Sequence, residues 1–460
     1  MIHADLLLRH GRIVTMDAER TILPDGAIAI AQGRIVAIGP DREVVPTISA
    51  AATRNLDGAL THPGLIDAHA HTGVDIVRPL LPETREFGVV EHPFSSKRTH
   101  DDEHLSTLLA CMEMVASGTT LFCDTGQSFY LEAMVEAIET VGMRGIPGYF
   151  LADERIPQDP HYDRYYSPTT SADECLGKLE QQIRRYPFRG NGRVRCVATL
   201  QGSGTASDAL LVGAKAIAQR EGVPMVTHLS WSQGEVEKSK AQTGKRPVEH
   251  FADLGLLGSD LTLVHLIQAE EHEIELVRQA QVPVVHCPAA AIRRGMGAIR
   301  IGRFPEMLKA GIPVGLGSDG WSTKHDVTRQ AYLAATLFNE FRNEVPVITT
   351  ETAWEMATVH GARAVGMAEE VGSLQIGYRA DIVVHRRDRP GPFTDDPVPY
   401  LIHYGQSSTV HTVYVDGEVI LDEGRFTRFD AAAAVKKLDA AANTWAKTIG
   451  RQRGTWPIRQ

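Results

Sequence analysis

From residue 4 to residue 60 apolar and polar positions alternate in short stretches: Asp5-Leu6-Leu7-Leu8, Ala27-Ile28-Ala29-Ile30 and Arg34-Ile35-Val36-Ala37-Ile38, with Gly and Pro between them. This is strand and turn chemistry, and helical periodicity is weak there. Beyond Gly64 the pattern changes to short apolar runs followed by helical stretches, the alternation of a parallel sheet with crossover helices. The runs fall at 64–68, 119–124, 145–151, 194–200, 223–227, 261–264, 282–286 and 313–318. Their number predicts an α/β fold built on a (β/α)8 TIM barrel. After the fourth run, Leu210, Leu211, Ala214, Ile217 and Ala218 share one helical face just beyond Ser207, a residue type suited to an N-cap.

Strand patterns return after about residue 371, in GSLQIGYRADIVV (Gly372 to Val384) and HTVYVDGEVILDEG (His411 to Gly424), the second with an Asp-Gly hairpin signal. Their likeness to the N-terminal segment predicts that both chain ends meet in one small β-sandwich outside the barrel. The expected organisation is 1–62 as the N-terminal part of the sandwich, 63–370 as the barrel, 371–428 as the rest of the sandwich and 429–460 as a helical tail. The tail begins alanine-rich, which suits packing or oligomerisation rather than catalysis.

At 460 residues the chain is long enough for one large domain and a smaller one. Hydrophobic residues at 43% and charged residues at 23% are the balance of a globular enzyme. The net charge of -10 is dispersed, with no basic stripe, so nucleic acid is not an expected partner. Five scattered cysteines (Cys111, Cys123, Cys175, Cys196, Cys287) fit neither a disulfide framework nor a zinc-finger spacing and read as reduced core residues. The N-terminus lacks a secretory pattern and no window reaches membrane-spanning length. A cytoplasmic homo-oligomer acting on a small molecule, with no membrane partner, is the expectation.

The candidate chemistry sits where the apolar runs end. The first run closes in HPGLIDAHAHT (His62 to Thr72), and strand alternation points His69 and His71 the same way, into the barrel mouth. His228 closes the fifth run, His265 the sixth and Asp319 the eighth. Any one strand-end histidine is more often a hydrogen-bonded packing residue. All five at the C-terminal mouth of one barrel argue for a metal, because burying so many ionisable groups without a partner is costly. Imidazole and carboxylate suit one divalent ion, zinc by default with iron or cobalt as alternatives, and leave a position for water. The metal lowers the pKa of that water to about 7. Asp319 can then accept its proton and pass it to the leaving group, while His265 orients the attacking oxygen or polarises the scissile bond.

These motifs resemble the amidohydrolase superfamily, in the branch of S-adenosylhomocysteine deaminases, guanine deaminase and triazine hydrolases. The likeness covers nearly the whole chain: PGLIDAHAH, ASGTT before the second strand, HLSWSQGEVEKSKAQTGKRPVEHF after the fifth, HCPAAAIRRGMG after the seventh, GLGSDG at the eighth and GSLQIGYRADIVV in the closing sandwich. It implies that His69, His71, His228 and Asp319 hold the metal and that His265 assists catalysis. No lysine follows the fourth run (CVATLQGSG), so the carboxylated lysine of binuclear relatives has no counterpart.

The family pattern also breaks. Where deaminases of this branch carry a glutamate three residues after the strand-five histidine, this chain has Trp231, and Glu235 beyond it is expected to face solvent. Gln201 stands where deaminases show a histidine, and Ala290 and Ala291 replace polar residues after His286. The expectation is therefore a pocket lined by Trp231, Gln201, Trp321, His325 and His286, walled by the loop 152–170 with its His161, Tyr162, Tyr165 and Tyr166, with Cys287 as packing. The expected substrate is a neutral, rather hydrophobic urea, carbamate, thiocarbamate or amide, as for the phenylurea and molinate hydrolases. The alternative is an aminohydrolase or dechlorinase of a nitrogen heterocycle (purine, pterin or triazine) in which another residue replaces the lost acid.

Overall fold

Aliphatic runs without alternation make strands that are buried on both faces, the signature of a parallel sheet covered by helices. The computed structural model describes residues 1–83, 87–154, 170–320, 323–387, 396–405 and 407–450. The expected apolar runs become the barrel strands Leu65–Ala70, Thr119–Asp124, Arg144–Ile146, Ala198–Leu200, Met225–Leu229, Leu261–His265, Val284–His286 and Val314–Leu316. Every residue in them is buried. The fourth to eighth strands pair in parallel, as do the first three. An isolated parallel bridge between Gly145 and Val194 joins the third strand to the segment leading into the fourth. The ring closes where Asp319 N donates to His69 O at 2.9 Å. Gly317 makes that closure possible: a Cβ there would lie 2.7 Å from His69 Cβ and 3.0 Å from Cys287 Sγ. The helix expected after the fourth strand runs Asp208–Glu221, and the Ser207 side chain accepts from Leu210 N as its cap.

Both chain ends build the β-sandwich beside the barrel. Leu60–Pro63, directly ahead of the first barrel strand, lies between Ile2–Val14, which it pairs in parallel, and Ile382–His385, which it pairs antiparallel. Alternate residues of the same strands serve two apolar clusters. Leu8, Ile28, Ile30, Ile382 and Tyr414 fill one, while Ala4, Leu7, Ala27, Ala29 and Val44 fill the other. The predicted hairpin is present: Val415 pairs with Glu418 around Asp416 (φ 51°) and Gly417 (φ 71°), both in the left-handed conformation that a type I′ turn requires.

The C-terminal helix Ala431–Ile449, capped by Asp430, is a brace. Trp445 meets Phe94 edge to face at 4.8 Å, and its indole N–H donates to Asp102 at 2.8 Å. It thus holds down the helix Gly88–Ser95, which lies near the barrel mouth. All five cysteines are buried and free, as expected. No helix among the described residues is long and apolar enough to cross a membrane.

At the seam between the two units, His62 Nε2 and His385 Nε2 lie 2.8 Å apart, with Pro63 O and Thr409 Oγ1 on the outer ring nitrogens. Burial lowers His62 from 6.5 to about 4 and His385 well below 6.5, and His385 is further disfavoured as a cation by its neighbour. The neutral pair stabilises the fold fully above about pH 6.5, and that contribution is lost as the pH falls toward 4. For His62 alone the loss is on the order of 3 kcal/mol. The thermal midpoint should therefore drop between about pH 7 and pH 5, and a His62→Gln variant should flatten that dependence. An unchanged slope in the variant, followed by circular dichroism, would assign the acid sensitivity elsewhere.

Candidate active site

Alternation within the first barrel strand turns His69 and, just beyond it, His71 toward the axis. His228 and His265 come from the adjacent fifth and sixth strands, where Leu229 is paired with His265. His71 Nε2 and His228 Nε2 are 3.3 Å apart, and Asp319 Oδ1 is 3.3 Å from His69 Nε2 and 3.5 Å from His71 Nε2. Ligands in a tetrahedron with bonds of about 2.0–2.1 Å stand about 3.3 Å from one another, so these separations are those of a donor set around one cation. The His265 ring adjoins the set, 5.4 Å from the His69 ring and 5.3 Å from that of His228. His265 (φ 75°) and Asp319 (φ 56°) both sit in the left-handed region, a backbone cost that commonly marks functional positions.

The electrostatics fit the same use. Burial holds His71 and His228 well below the ordinary imidazole value, with His69 adding to the effect, and pushes His265 down to about 3. Burial alone would raise Asp319, but the Arg294 charge, 3.6 Å away, and the His69 hydrogen bond outweigh it and hold the carboxylate well below its usual range. His71 and His228 are therefore neutral and Asp319 is ionised at neutral pH, the states in which these groups ligate a metal. His71 Nδ1, His228 Nδ1, His265 Nδ1 and Asp319 Oδ2 are buried with no hydrogen-bond partner among the described residues, a cost borne by a cluster that gathers Nε2 of His69, His71 and His228 with Asp319 Oδ1. His69 Nδ1 is 2.7 Å from Thr125 Oγ1, which turns Nε2 toward Asp319 and the other ligands. The donors fit one divalent cation.

Residues 60–420 match the Amidohydrolase family. The chain belongs to that family. A 5-methylthioadenosine/S-adenosylhomocysteine deaminase from Syntrophobacter fumaroxidans is 31% identical over 96% of this chain and 98% of its own. A 5'-deoxyadenosine deaminase from Methanosarcina acetivorans is 28% identical over 95% and 98%. Among solved structures, a zinc-bound adenosine deaminase from Xanthomonas campestris superposes with a TM-score of 0.85 at 25% identity, covering 97% of this chain and 99% of that one. The zinc complex of an atrazine chlorohydrolase from Arthrobacter aurescens follows at 0.84 and 23%, covering 95% and 100%, a likeness of fold. This amidohydrolase is thus a metal-dependent hydrolase with deaminase relatives.

The substrate-side expectations fare differently. His325 is fully buried, with Nε2 2.7 Å from Asp75 Oδ2 and Nδ1 2.8 Å from Ser318 Oγ. Burial opposes its charge, yet Asp75 outweighs this and raises it to about 9. Both ring nitrogens being spent, it positions the residue before Asp319 instead of binding substrate. His286 is likewise a packing residue here, its ring stacked 3.8 Å from Phe304, with burial pushing it down to about 3. Ala290 and Ala291 are buried in the main core. Gln201 is half-buried at the mouth and donates to Gly126 O at 2.8 Å, bracing the loop that carries Thr125. Trp231 is half-buried beside His228, and its backbone N–H donates to Glu235 Oε2 at 2.9 Å. Glu235 does not face solvent as expected: Ser203 Oγ donates to it at 2.9 Å, and burial raises its carboxyl. Trp321 and the loop tyrosines and His161 lie outside the described residues.

Two residues near the metal ligands escaped the sequence reading. Arg294, from HCPAAAIRRGMG, reaches Asp319 and lies 5.7 Å over the Phe87 ring. Glu91, one turn beyond Phe87, is buried and feels the charges of both Arg294 and Asp319. A lone acid inside the apolar stretch Gly88-Val89-Val90-Glu91 was the available signal for it.

Active protein should carry about one divalent ion per chain. Substituting His69, His71 or His228 by alanine should abolish metal and activity together, whereas His265→Ala should keep most of the metal and lose most of the rate. Elemental analysis beside kcat separates these outcomes; two tightly held ions per chain, or a fully active His265 variant, would contradict the assignments.

Proposed function

We propose that this amidohydrolase is an aminohydrolase of an amino-substituted nitrogen heterocycle, with zinc as its metal and iron or cobalt compatible with the same donors. The observation that carries the reading is the gathering of His69, His71, His228, His265 and Asp319 as two triads that share His69, in a chain alignable over nearly its whole length with nucleoside deaminases. The zinc-bound adenosine deaminase supports the same choice of metal and reaction.

When bound, the cation supplies a water acidified to about 7 and ready to attack carbon. Asp319, kept ionised by Arg294 and His69, accepts the water's proton and later returns it to the leaving nitrogen. His265, adjoining the ligand set and neutral by burial, stabilises the oxygen as it bonds to carbon. Thr125 fixes the His69 ring, and the Ser318–His325–Asp75 chain fixes the strand end that presents Asp319.

The second reading is cleavage of a neutral urea, carbamate, thiocarbamate or amide, as in the phenylurea and molinate hydrolases. Trp231 favours it, because a carbonyl carbon needs no protonated ring nitrogen. Ammonia release from adenosine-type nucleosides, guanine and melamine, measured beside amine, alcohol or thiol release from aryl and alkyl ureas and carbamates, decides between them. Turnover with ammonia as product is expected. Carbonyl cleavage with no deamination would overturn the aminohydrolase reading in favour of the second.

A further inference from the structure

Trp231 removes the carboxyl that protonates the substrate in related deaminases, and the hydrolytic reading then lacks a proton donor on the face away from Asp319. Glu235, four residues on, does not fill the gap. Its two carboxylate oxygens are taken up, one by the Trp231 backbone N–H and the other by Ser203 Oγ.

The helix Gly88–Ser95 offers another carboxyl. Its residues 87 and 91 lie one turn apart and so share a face. That face is placed by contacts: Arg294 lies over the Phe87 ring, and the same guanidinium is 3.6 Å from Asp319 Oδ2. Two anchors fix the helix there. The C-terminal helix packs Trp445 on Phe94, and Arg98, just past the helix, donates to Gly73 O at 3.3 Å and Gln127 O at 2.9 Å, tying the segment to the loop that follows His71. Glu91 is 4% exposed on this braced helix.

We propose that Glu91 is the proton donor of this enzyme, a carboxylic acid supplied by the helix over the mouth in place of the one lost at Trp231. Burial raises its carboxyl well above the ordinary value and Asp319 adds to this, while Arg294 opposes. A buried carboxyl held in its protonated form beside the Arg294 that reaches Asp319 is suited to act as a general acid.

The proposal rests on the aminohydrolase reading, and the balance is as follows for an amidine carbon of the ring. The water oxygen bonds to carbon as Asp319 takes the water's proton, and the C=N electron pair moves to the ring nitrogen, which receives the Glu91 proton. Asp319 then gives its proton to the amino group, the C–N bond breaks and ammonia leaves. The Glu91 carboxylate recovers a proton from the hydroxyl as it becomes the carbonyl. Water is consumed, ammonia is released and both carboxyl groups return to their starting states.

The test uses the metal-loaded enzyme, the Glu91→Gln and Glu91→Asp variants, and the best substrate from the product screen. Glu91→Gln should keep one metal per chain and its KM, lose roughly 10² to 10⁴ in kcat, and lose the fall in kcat on the alkaline side that deprotonation of the acid imposes. Glu91→Asp should retain that alkaline limb at reduced kcat. A protonated-carboxyl infrared band present in the wild type and missing from Glu91→Gln provides a readout independent of turnover. A metal-loaded Glu91→Gln with wild-type kcat and pH profile would overturn the role of Glu91. So would absence of the band, which holds even if that variant folds poorly, since it can be sought in the wild type and Glu91→Asp. Failure of the aminohydrolase reading is seen separately, in the identity of the product.

Discussion

Everything at this site depends on gathering three buried imidazoles and one buried carboxylate, with His69 and His71 Nε2 3.3 and 3.5 Å from Asp319 Oδ1 and His71 3.3 Å from His228. Desolvation would make such a cluster expensive if its members were charged. The barrel resolves this by keeping His71 and His228 neutral through burial and by leaving Asp319 as the single anion, offset by Arg294. A cation among the converging Nε2 and Oδ1 atoms gives them a common partner, so the geometry that is unfavourable alone becomes a binding site.

That geometry is maintained by the layer behind it. Ser318 N donates to Asp67 Oδ1 at 2.8 Å, coupling the eighth strand to the first just below the ligands. Asp75 takes His325, and Arg78 bridges Asp75 to Glu113, so an ionic chain, buried at Asp75 and His325 and partly exposed at Arg78 and Glu113, ties the loop after His71 to the segment after Asp319. Thr72 N donates to Asp124 Oδ2 at 2.9 Å, fastening the residue after His71 to the second strand. Breaking one partner of such a chain leaves a charge buried without compensation, which is why these positions are expected to be as sensitive as the ligands.

The sandwich and the terminal helix also bear on the mouth. Leu60–Pro63 is a sandwich strand whose chain passes within two residues into the first barrel strand, so the position of His69 is set from both units. The terminal helix packs on the helix Gly88–Ser95 that carries Glu91, linking the end of the chain to the segment after His71. That burial pushes the Glu91 carboxyl up while Arg294 and His69 hold Asp319 down is a product of that whole frame.

Sequence alone determined the architecture and pointed to the His/Asp cluster that fits a divalent metal, because both rest on local periodicity. Eight apolar runs, an Asp-Gly hairpin and polar residues at strand ends are readable one segment at a time. It also showed what was missing at Trp231. It did not determine which reaction follows: the apolar positions after His286 read as pocket lining, whereas Ala290 and Ala291 belong to the core and His286 to an aromatic stack. His325 read as open to substrate because its partner, Asp75, is 250 residues away. Glu235 read as exposed because its hydrogen bond to Ser203 crosses between two strand-end loops. Glu91 and Arg294 reach the mouth only once a helix, a terminal brace and two barrel loops are assembled. Burial and pairing of charges are sums over such distant neighbours, and only the tertiary structure decides them.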